Sequence, residues 1–473
     1  MVGDLSLIIG GERRTSGDVL EIRSPYDGSL VGRTFLADDA QIEVALASAE
    51  ASFKDLRGMP AYMRSEMIAA VARAIEERGH EIARVISLES GKPIKDSRAE
   101  VRRAATTFQL ASEEAKRLGG EVVPLDISPG SEGRFGIVRR FPVGPVLGIA
   151  PFNFPLNLVA HKVAPAMASG NPMLLKPSPR TPLTALLLGG IVTAAGWPAG
   201  GLNIINCTNE QAGRIWKDER VRKLSFTGSA KVGWALKALA GERKVTLELG
   251  GNAGVIVHGD ADVAAAAKRC ALGAFSNAGQ VCISVQRIYV DKRAFEEFRE
   301  RFLSACKSLR KGDPLDEATD IGPMIDEAAA RRAEEWVLEA VAGGARVLAG
   351  GRRKGNFMEP TVLTDTRPSM KVCSEEVFAP VVSIEPYAAF EDAVGLVNTG
   401  RYGLQAGVFT SDLGRVFKAF ETLDVGGVVA NDLPTYRVDN MPYGGVKMSG
   451  FGREGVRYAI EEMTEPRLLV VNY

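Results

Sequence analysis

Three short segments of the 473-residue chain carry side chains able to act on a carbonyl. Cys282 ends Asn277-Ala278-Gly279-Gln280-Val281-Cys282, Glu248 stands in Leu247-Glu248-Leu249-Gly250-Gly251, and Asn153 in Pro151-Phe152-Asn153-Phe154-Pro155. A thiol supplies a covalent nucleophile, a carboxylate a general base, and a side-chain amide a donor to an oxyanion. Each has a bland reading when taken singly. A free cysteine packs as a small hydrophobe, a strand-end glutamate is a surface charge, and an asparagine is a turn or cap residue. Taken together they form the minimum set for acyl-type chemistry, with Cys282 at its centre.

Positioning such a set requires strands and helices around it. Residues 41–114 read as long helices, with Ala45, Leu46, Ala49 and Phe53, and then Met67, Ala70, Val71 and Ile75, at helical spacing; Gly91-Lys92-Pro93 breaks the run. Strand-like runs at 146–149, 173–176, 202–205, 223–226 and 244–249 alternate with helical stretches, which predicts a parallel sheet with helices on its faces. A second α/β series begins near Ala253, with strands expected at 254–257, 287–290, 345–348, 381–384 and 426–430 and a helix at 326–342. The junction lies close to Glu248, so the three residues are expected in a cleft between the two series. Residues 121–125 and 135–141 look like a hairpin around Pro129-Gly130, and 468–471 is another apolar strand; both lie outside the two series and expose edges that need a partner.

Composition narrows the class. A chain of this length predicts two or three domains. Its 58 basic and 58 acidic side chains balance, with no basic block to favour nucleic acid. Five cysteines without a Cys-x-x-Cys pair and only three histidines argue against a disulfide scaffold and a metal centre. The first fourteen residues lack the pattern of a secretory signal, and no apolar stretch approaches the ~20 residues of a membrane helix, so a cytoplasmic location without membrane contact is expected.

The three segments, in this order, together with Lys176-Pro177-Ser178, Phe226-Thr227-Gly228-Ser229, Glu375-Glu376-Val377-Phe378 and Pro442-Tyr443-Gly444-Gly445, resemble the aldehyde dehydrogenase superfamily from about Ser24 to the C-terminus. The resemblance implies two α/β domains, one Rossmann-like, plus a small β arm. Residues 1–118 and 143–251 would form the cofactor-binding domain, 252–446 the catalytic domain, and 119–142 with 456–473 an arm joining a homodimer or homotetramer. It also implies NAD or NADP as cofactor and an aldehyde as substrate. Attack by Cys282 gives a thiohemiacetal, loss of hydride a thioester, and water activated by Glu248 the acid. Asn153 and the Cys282 backbone N–H would hold the oxyanion. Relatives that acylate coenzyme A generally lack this glutamate, so acyl transfer to coenzyme A is the weaker alternative. A cysteine esterase and a non-catalytic member of the fold are the others.

No Gly-x-Gly-x-x-Gly follows a strand. Thr227 to Gly233 instead forms a Gly-Ser turn opening a helix, whose N–H groups suit a pyrophosphate. On the resemblance, Phe152, Lys176, Ser178, Pro179, Gly228, Ser229, Gly233, Leu249, Glu376 and Phe378 form the cofactor site. Pro179 stands where NAD-preferring members often carry a glutamate, which leaves NADP open, with Ser178 and Arg180 available to assist. Arg103, on a stripe with Thr107 and Leu110, His161 and Arg437 are the candidates for binding the anionic end of a small aldehyde, because guanidinium groups match oxyanions. This pattern is similar to the branch with lactaldehyde, phosphonoaldehyde and non-phosphorylating glyceraldehyde-3-phosphate dehydrogenases. It departs from several phosphate- or phosphonate-specific members in having Val281, not an arginine, before the nucleophile.

Overall fold

Strands buried on both faces need near-continuous apolar sequence and helical cover. In the first series Val146–Ile149, Met173–Lys176, Leu202–Ile204, Lys223–Thr227 and Lys244–Glu248 lie parallel in an eight-stranded sheet, the last two carrying polar residues at alternate positions although they are almost wholly buried. The computed structural model, which describes residues 2–473, adds antiparallel strands at both sides of this sheet. Leu7–Ile9 and Glu12–Arg14 extend one side, and Gly450–Phe451 pairs with Lys244–Glu248 on the other. The second series forms a seven-stranded sheet in the order Arg346–Ala349, Thr361–Thr364, Val381–Tyr387, Val285–Asp291, Ala253–Val257, Gln405–Phe409, Gly427–Ala430. All its pairings are parallel except that of Arg346–Ala349 with Thr361–Thr364. Thr361–Thr364 and Gln405–Phe409 are strands that the sequence reading passed over.

The two sheets are joined at Leu249-Gly250-Gly251-Asn252, immediately after the strand that ends in Glu248. The paired glycines answer to space. A Cβ on Gly250 would lie 2.2 Å from the Glu376 carboxylate, and one on Gly251 would lie 2.1 Å from the Cys282 carbonyl oxygen. The junction thus brings Glu248, Cys282 and Glu376 close together only if these positions carry no side chain.

The predicted hairpin forms as Gly120–Pro124 and Arg134–Pro142, and the chain end, Thr464–Asn472, pairs antiparallel along the whole second strand. Val122, Leu468, Leu469 and Val470 on this separate sheet are exposed.

Four helices fill the 41–114 region: Asp39–Gly58, Ala61–Glu77, Gly79–Ser90 and Ile94–Ala115, with Gly91 in the left-handed conformation at the predicted break. The last of them anchors the site. Glu100 accepts from the backbone N–H groups of Leu156 (2.9 Å) and Asn157 (3.1 Å), at the start of helix Asn157–Ser169. Its other oxygen pairs with the fully buried Lys92, whose ammonium also lies 3.7 Å from the centre of the Phe154 ring. The turn bearing Asn153 is held from both directions by this pair. Removing one partner of a buried ion pair strands the other charge. Glu100→Ala is expected to lower unfolding stability by about 3–5 kcal/mol, read from the denaturant midpoint.

Among the described residues no helix is long and apolar enough to cross a membrane, and no group of three or more His, Cys, Asp or Glu side chains is placed to hold a metal ion.

Candidate active site

Cys282, Glu248 and Asn153 line one cleft of about 500 Å³, together with Phe152, Gly228, Ser229, Leu249, Glu376 and Phe378. The approach to Cys282 is a strained turn. Asn277 and Ala278 hold φ of 49° and 54°, and Gly279 one of 70°, where a Cβ would come within 2.1 Å of the Ala379 carbonyl oxygen. Non-glycine residues in this region are held there by their surroundings, and such strain gathers at functional sites. Here Asn277 is tied to the Asn153 carbonyl at 3.3 Å, and Asn153 donates its amide to the Gln280 carbonyl at 2.9 Å. Asn153 is thereby locked to the segment leading to Cys282. The backbone N–H of Cys282 has no protein acceptor among the described residues, so it remains available to an oxyanion.

Cys282 is a partly buried residue, and burial pushes its thiol up to about 11, opposed by a hydrogen bond with Tyr443. Both carboxylate oxygens of Glu248 are buried without a hydrogen-bond partner. Burial and then the negative charge of Glu454 raise its carboxyl well above the ordinary glutamate value. A buried carboxylate with neither partner nor low proton affinity is poised to take a proton.

The structure brings Arg103, His161 and Arg437 into one cluster around two counter-charges. Arg103 (2.7 Å) and His161 Nε2 (2.7 Å) both bind Asp439 Oδ1, while Arg437 binds Glu454 at 3.2 Å and lies over the Tyr443 ring at 3.7 Å. Although burial opposes it, His161 and Arg103 hold the Asp439 carboxyl well below the usual range. A carboxylate only accepts, so His161 Nε2 carries the proton. Burial, then the Arg437 charge, lowers the imidazole below its usual range, which leaves Nδ1 as an unprotonated acceptor. Three buried atoms in the cluster lack partners: Arg103 Nε, Arg437 Nε and His161 Nδ1. Of the three candidate substrate-binding residues, two offer a guanidinium N–H and His161 offers a lone pair. The expected stripe is corrected: Thr107 is buried and donates to the Arg103 carbonyl, and Leu110 packs against the core beside the first sheet.

The helix Ala230–Ala238 begins after Ser229 with no side-chain cap, and Ser229 is exposed, so its first N–H groups open to the cleft. That opening fits a pyrophosphate. A Cβ on Gly233 would meet Leu249 at 2.4 Å, and this glycine lets helix and junction pack closely. Glu376 accepts from the Gly251 N–H at 3.1 Å, and burial raises its carboxyl to about 7. Phe152 and Phe378 meet edge to face at 5.9 Å. Lys176 sits buried at its strand end, its ammonium without a hydrogen-bond partner among the described residues, Ser178 accepts from the Arg180 N–H, and Pro179 is exposed. Arg180 is engaged with Asp326 at 2.7 Å.

A family profile described as aldehyde dehydrogenase family matches residues 13–469. The chain belongs to the aldehyde dehydrogenase family. It is 45% identical over 472 residues to the 3-sulfolactaldehyde dehydrogenase of Priestia aryabhattai, covering 100% of this chain and 98% of the relative. The structure of aldehyde dehydrogenase 21 from Physcomitrella patens, in complex with the reaction product succinate, matches with a TM-score of 0.98 at 44% identity, over 99% of this chain and 98% of that one. The glyceraldehyde-3-phosphate dehydrogenase of Methanocaldococcus jannaschii, complexed with NADP, matches with a TM-score of 0.92 at 38% identity, over 97% and 100%. This aldehyde dehydrogenase therefore oxidises an aldehyde to a carboxylic acid with a nicotinamide cofactor, on the mixed α/β fold of its relatives.

Several of this aldehyde dehydrogenase's polar groups had no role in the sequence reading. Lys162 is buried and bonds Thr227 (2.7 Å) and Glu454 (3.1 Å), and Asp439, Glu454 and Tyr443 surround Arg437 and Cys282. One signal was available: His161-Lys162 interrupts an otherwise apolar helix in which every residue is buried.

Proposed function

We propose that this enzyme oxidises a short aldehyde carrying an anionic group and a neighbouring hydroxyl, with Cys282 as nucleophile, Asn153 and the Cys282 N–H as oxyanion donors, and Glu248 as base. The convergence of these groups on one cleft supports the roles. Cys282 gives up its thiol proton to solvent, its sulfur bonds the carbonyl carbon as the carbon–oxygen π bond breaks, and the oxygen gains negative charge facing the two N–H donors. NAD or NADP held in this cleft would supply the hydride acceptor, so that loss of hydride from this carbon leaves a thioester on Cys282. Glu248 takes a proton from water, whose oxygen displaces the sulfur and yields the acid. The candidate cofactor groups divide the remaining work: the helix start at Gly228-Ser229 toward pyrophosphate, with Gly233 and Leu249 behind it, Lys176, Ser178 and Pro179 toward the adenosine ribose, and Glu376, Phe378 and Phe152 toward the nicotinamide ribose.

The substrate reading rests on the three unpartnered buried atoms. Two guanidinium N–H groups are donors suited to a sulfonate, phosphate or carboxylate, while the imidazole lone pair of His161 accepts from a hydroxyl. The similarity to a 3-sulfolactaldehyde dehydrogenase is in keeping with that chemistry. The test is a panel of short aldehydes, anionic or neutral, with and without a 2-hydroxyl, run with NAD and with NADP and read by absorbance of the reduced nicotinamide. Arg103→Leu is expected to cut kcat/KM for anionic aldehydes roughly 10- to 100-fold while sparing neutral ones, and Arg437→Leu to lower it for both classes but by a larger factor for the anionic one. Preference of the native enzyme for neutral aldehydes, or anionic turnover untouched by both substitutions, would reject the assignment.

The same reading divides the chain at about residue 251 into cofactor-binding and catalytic domains. It also takes the separate three-stranded sheet, with its exposed Leu468, Leu469 and Val470, as the surface that joins a homodimer or homotetramer.

A further inference from the structure

The one side-chain hydrogen bond to the Cys282 sulfur among the described residues comes from an unexpected group, the Tyr443 hydroxyl at 3.2 Å. Tyr443 is 3% exposed, and its ring packs with Ile283 and Leu404 beside Cys282. Its backbone exchanges two hydrogen bonds with Glu454, at 3.0 and 2.7 Å. The face of the ring carries the Arg437 guanidinium at 3.7 Å, itself held by Glu454 at 3.2 Å. The hydroxyl is thus positioned by packing, by backbone pairing and by a fixed cation.

We propose that Tyr443 is a further catalytic residue, whose hydroxyl donates to the Cys282 sulfur whenever that sulfur carries an electron pair freed of its proton or of carbon, and that Arg437 strengthens this donor. The proposal rests on Cys282 being the nucleophile. A thiolate has no proton to give, so only the hydroxyl can be the donor in the charged pair. Burial, with the Cys282 charge nearby, holds the phenol proton well above its usual range, so the hydroxyl stays a donor wherever the enzyme works. A guanidinium over the ring face draws on its electron density and makes the O–H a better donor. The same contact serves twice. In the first half of the reaction it favours loss of the thiol proton to solvent before the sulfur–carbon bond forms. In the second, water adds its oxygen to the thioester carbon and gives a proton to Glu248, the carbon–sulfur bond breaks, and the electron pair left on sulfur again accepts from Tyr443.

Tyr443→Phe keeps the ring, its packing and its contact with Arg437, and removes only the hydroxyl. Alkylation of Cys282 by iodoacetamide, followed by mass spectrometry of its peptide in the cofactor-free enzyme, reads thiolate availability. The other four thiols are buried, and burial raises each of them, so the reading is specific. Across about pH 7 to 10 the variant is expected to alkylate about tenfold more slowly at each pH, the effect of losing one hydrogen bond to a charged group. Its kcat should fall by a similar factor with the aldehyde KM little changed. An unchanged alkylation profile, or a faster one, would overturn the proposal, because the hydroxyl would then be a passive acceptor from the resting thiol. Cys282→Ser separates the two claims. If it keeps its turnover, the nucleophile assignment fails; if it loses turnover while Tyr443→Phe alkylates normally, the role of Tyr443 alone fails.

Discussion

Cys282→Ser is expected to reduce aldehyde-dependent formation of NADH or NADPH by at least about 10³-fold, with the fold intact. A serine hydroxyl at this position remains neutral, because the groups around Cys282 already push even the more acidic thiol up to about 11. Among the described residues the side-chain partner of the sulfur is a neutral hydroxyl, that of Tyr443. The nucleophile is therefore replaced by a group that can neither ionise nor attack at a useful rate. Stability should change little, since the side chain is partly exposed and its hydrogen bond to Tyr443 can be reproduced by oxygen. Steady-state turnover together with a thermal melt checks both halves. A variant that keeps its turnover would remove Cys282 from the mechanism.

Glu248→Gln is expected to leave the first turnover, read as a burst of reduced nicotinamide, and to slow the following steady state by about 10²- to 10⁴-fold. The glutamine cannot take the proton of the hydrolytic water, so the thioester accumulates on Cys282. In the native enzyme the same step should accelerate as pH rises, because only the ionised carboxylate is a base. Burial and Glu454 place the midpoint of that limb well above the ordinary glutamate value of about 4.5. Stability should run the other way. A carboxyl whose folded value is raised stabilises fully below its unfolded value, and that contribution is lost as pH rises through the folded one. Glu248→Gln should therefore melt no lower than the native enzyme near neutral pH, and its relative advantage should grow with pH until Glu248 is fully ionised. A steady state equal to the native one would exclude Glu248 as the base.

The parallel strands at 146–149 and 173–176 were legible as short, mostly apolar runs, and those at 223–227 and 244–248 from their alternation with helical stretches. The hairpin at 120–142 was legible from its Pro-Gly turn. Thr361–Thr364 and Gln405–Phe409 were not. Each is a short run of four or five residues mixing polar and apolar side chains, and each becomes a strand through pairing with neighbours already in the second sheet. Likewise, nothing local in Leu7–Ile9 specifies its place beside Leu202–Ile204, a partner nearly two hundred residues away.

By itself the sequence determined the reaction class, because Cys282, Glu248 and Asn153 are functional groups whose chemistry belongs to the side chains and whose surrounding motifs identify the family. It also determined that Arg103, His161 and Arg437 were worth watching. Only the tertiary structure decided what those three are. Asp439, 278 residues from His161, accepts a hydrogen bond from the imidazole Nε2–H, and Glu454 and Tyr443 engage the Arg437 side chain. The distinction is physical: a group's intrinsic reactivity is written in its residue type, whereas its charge state and its free valences depend on neighbours that the fold brings from distant parts of the chain.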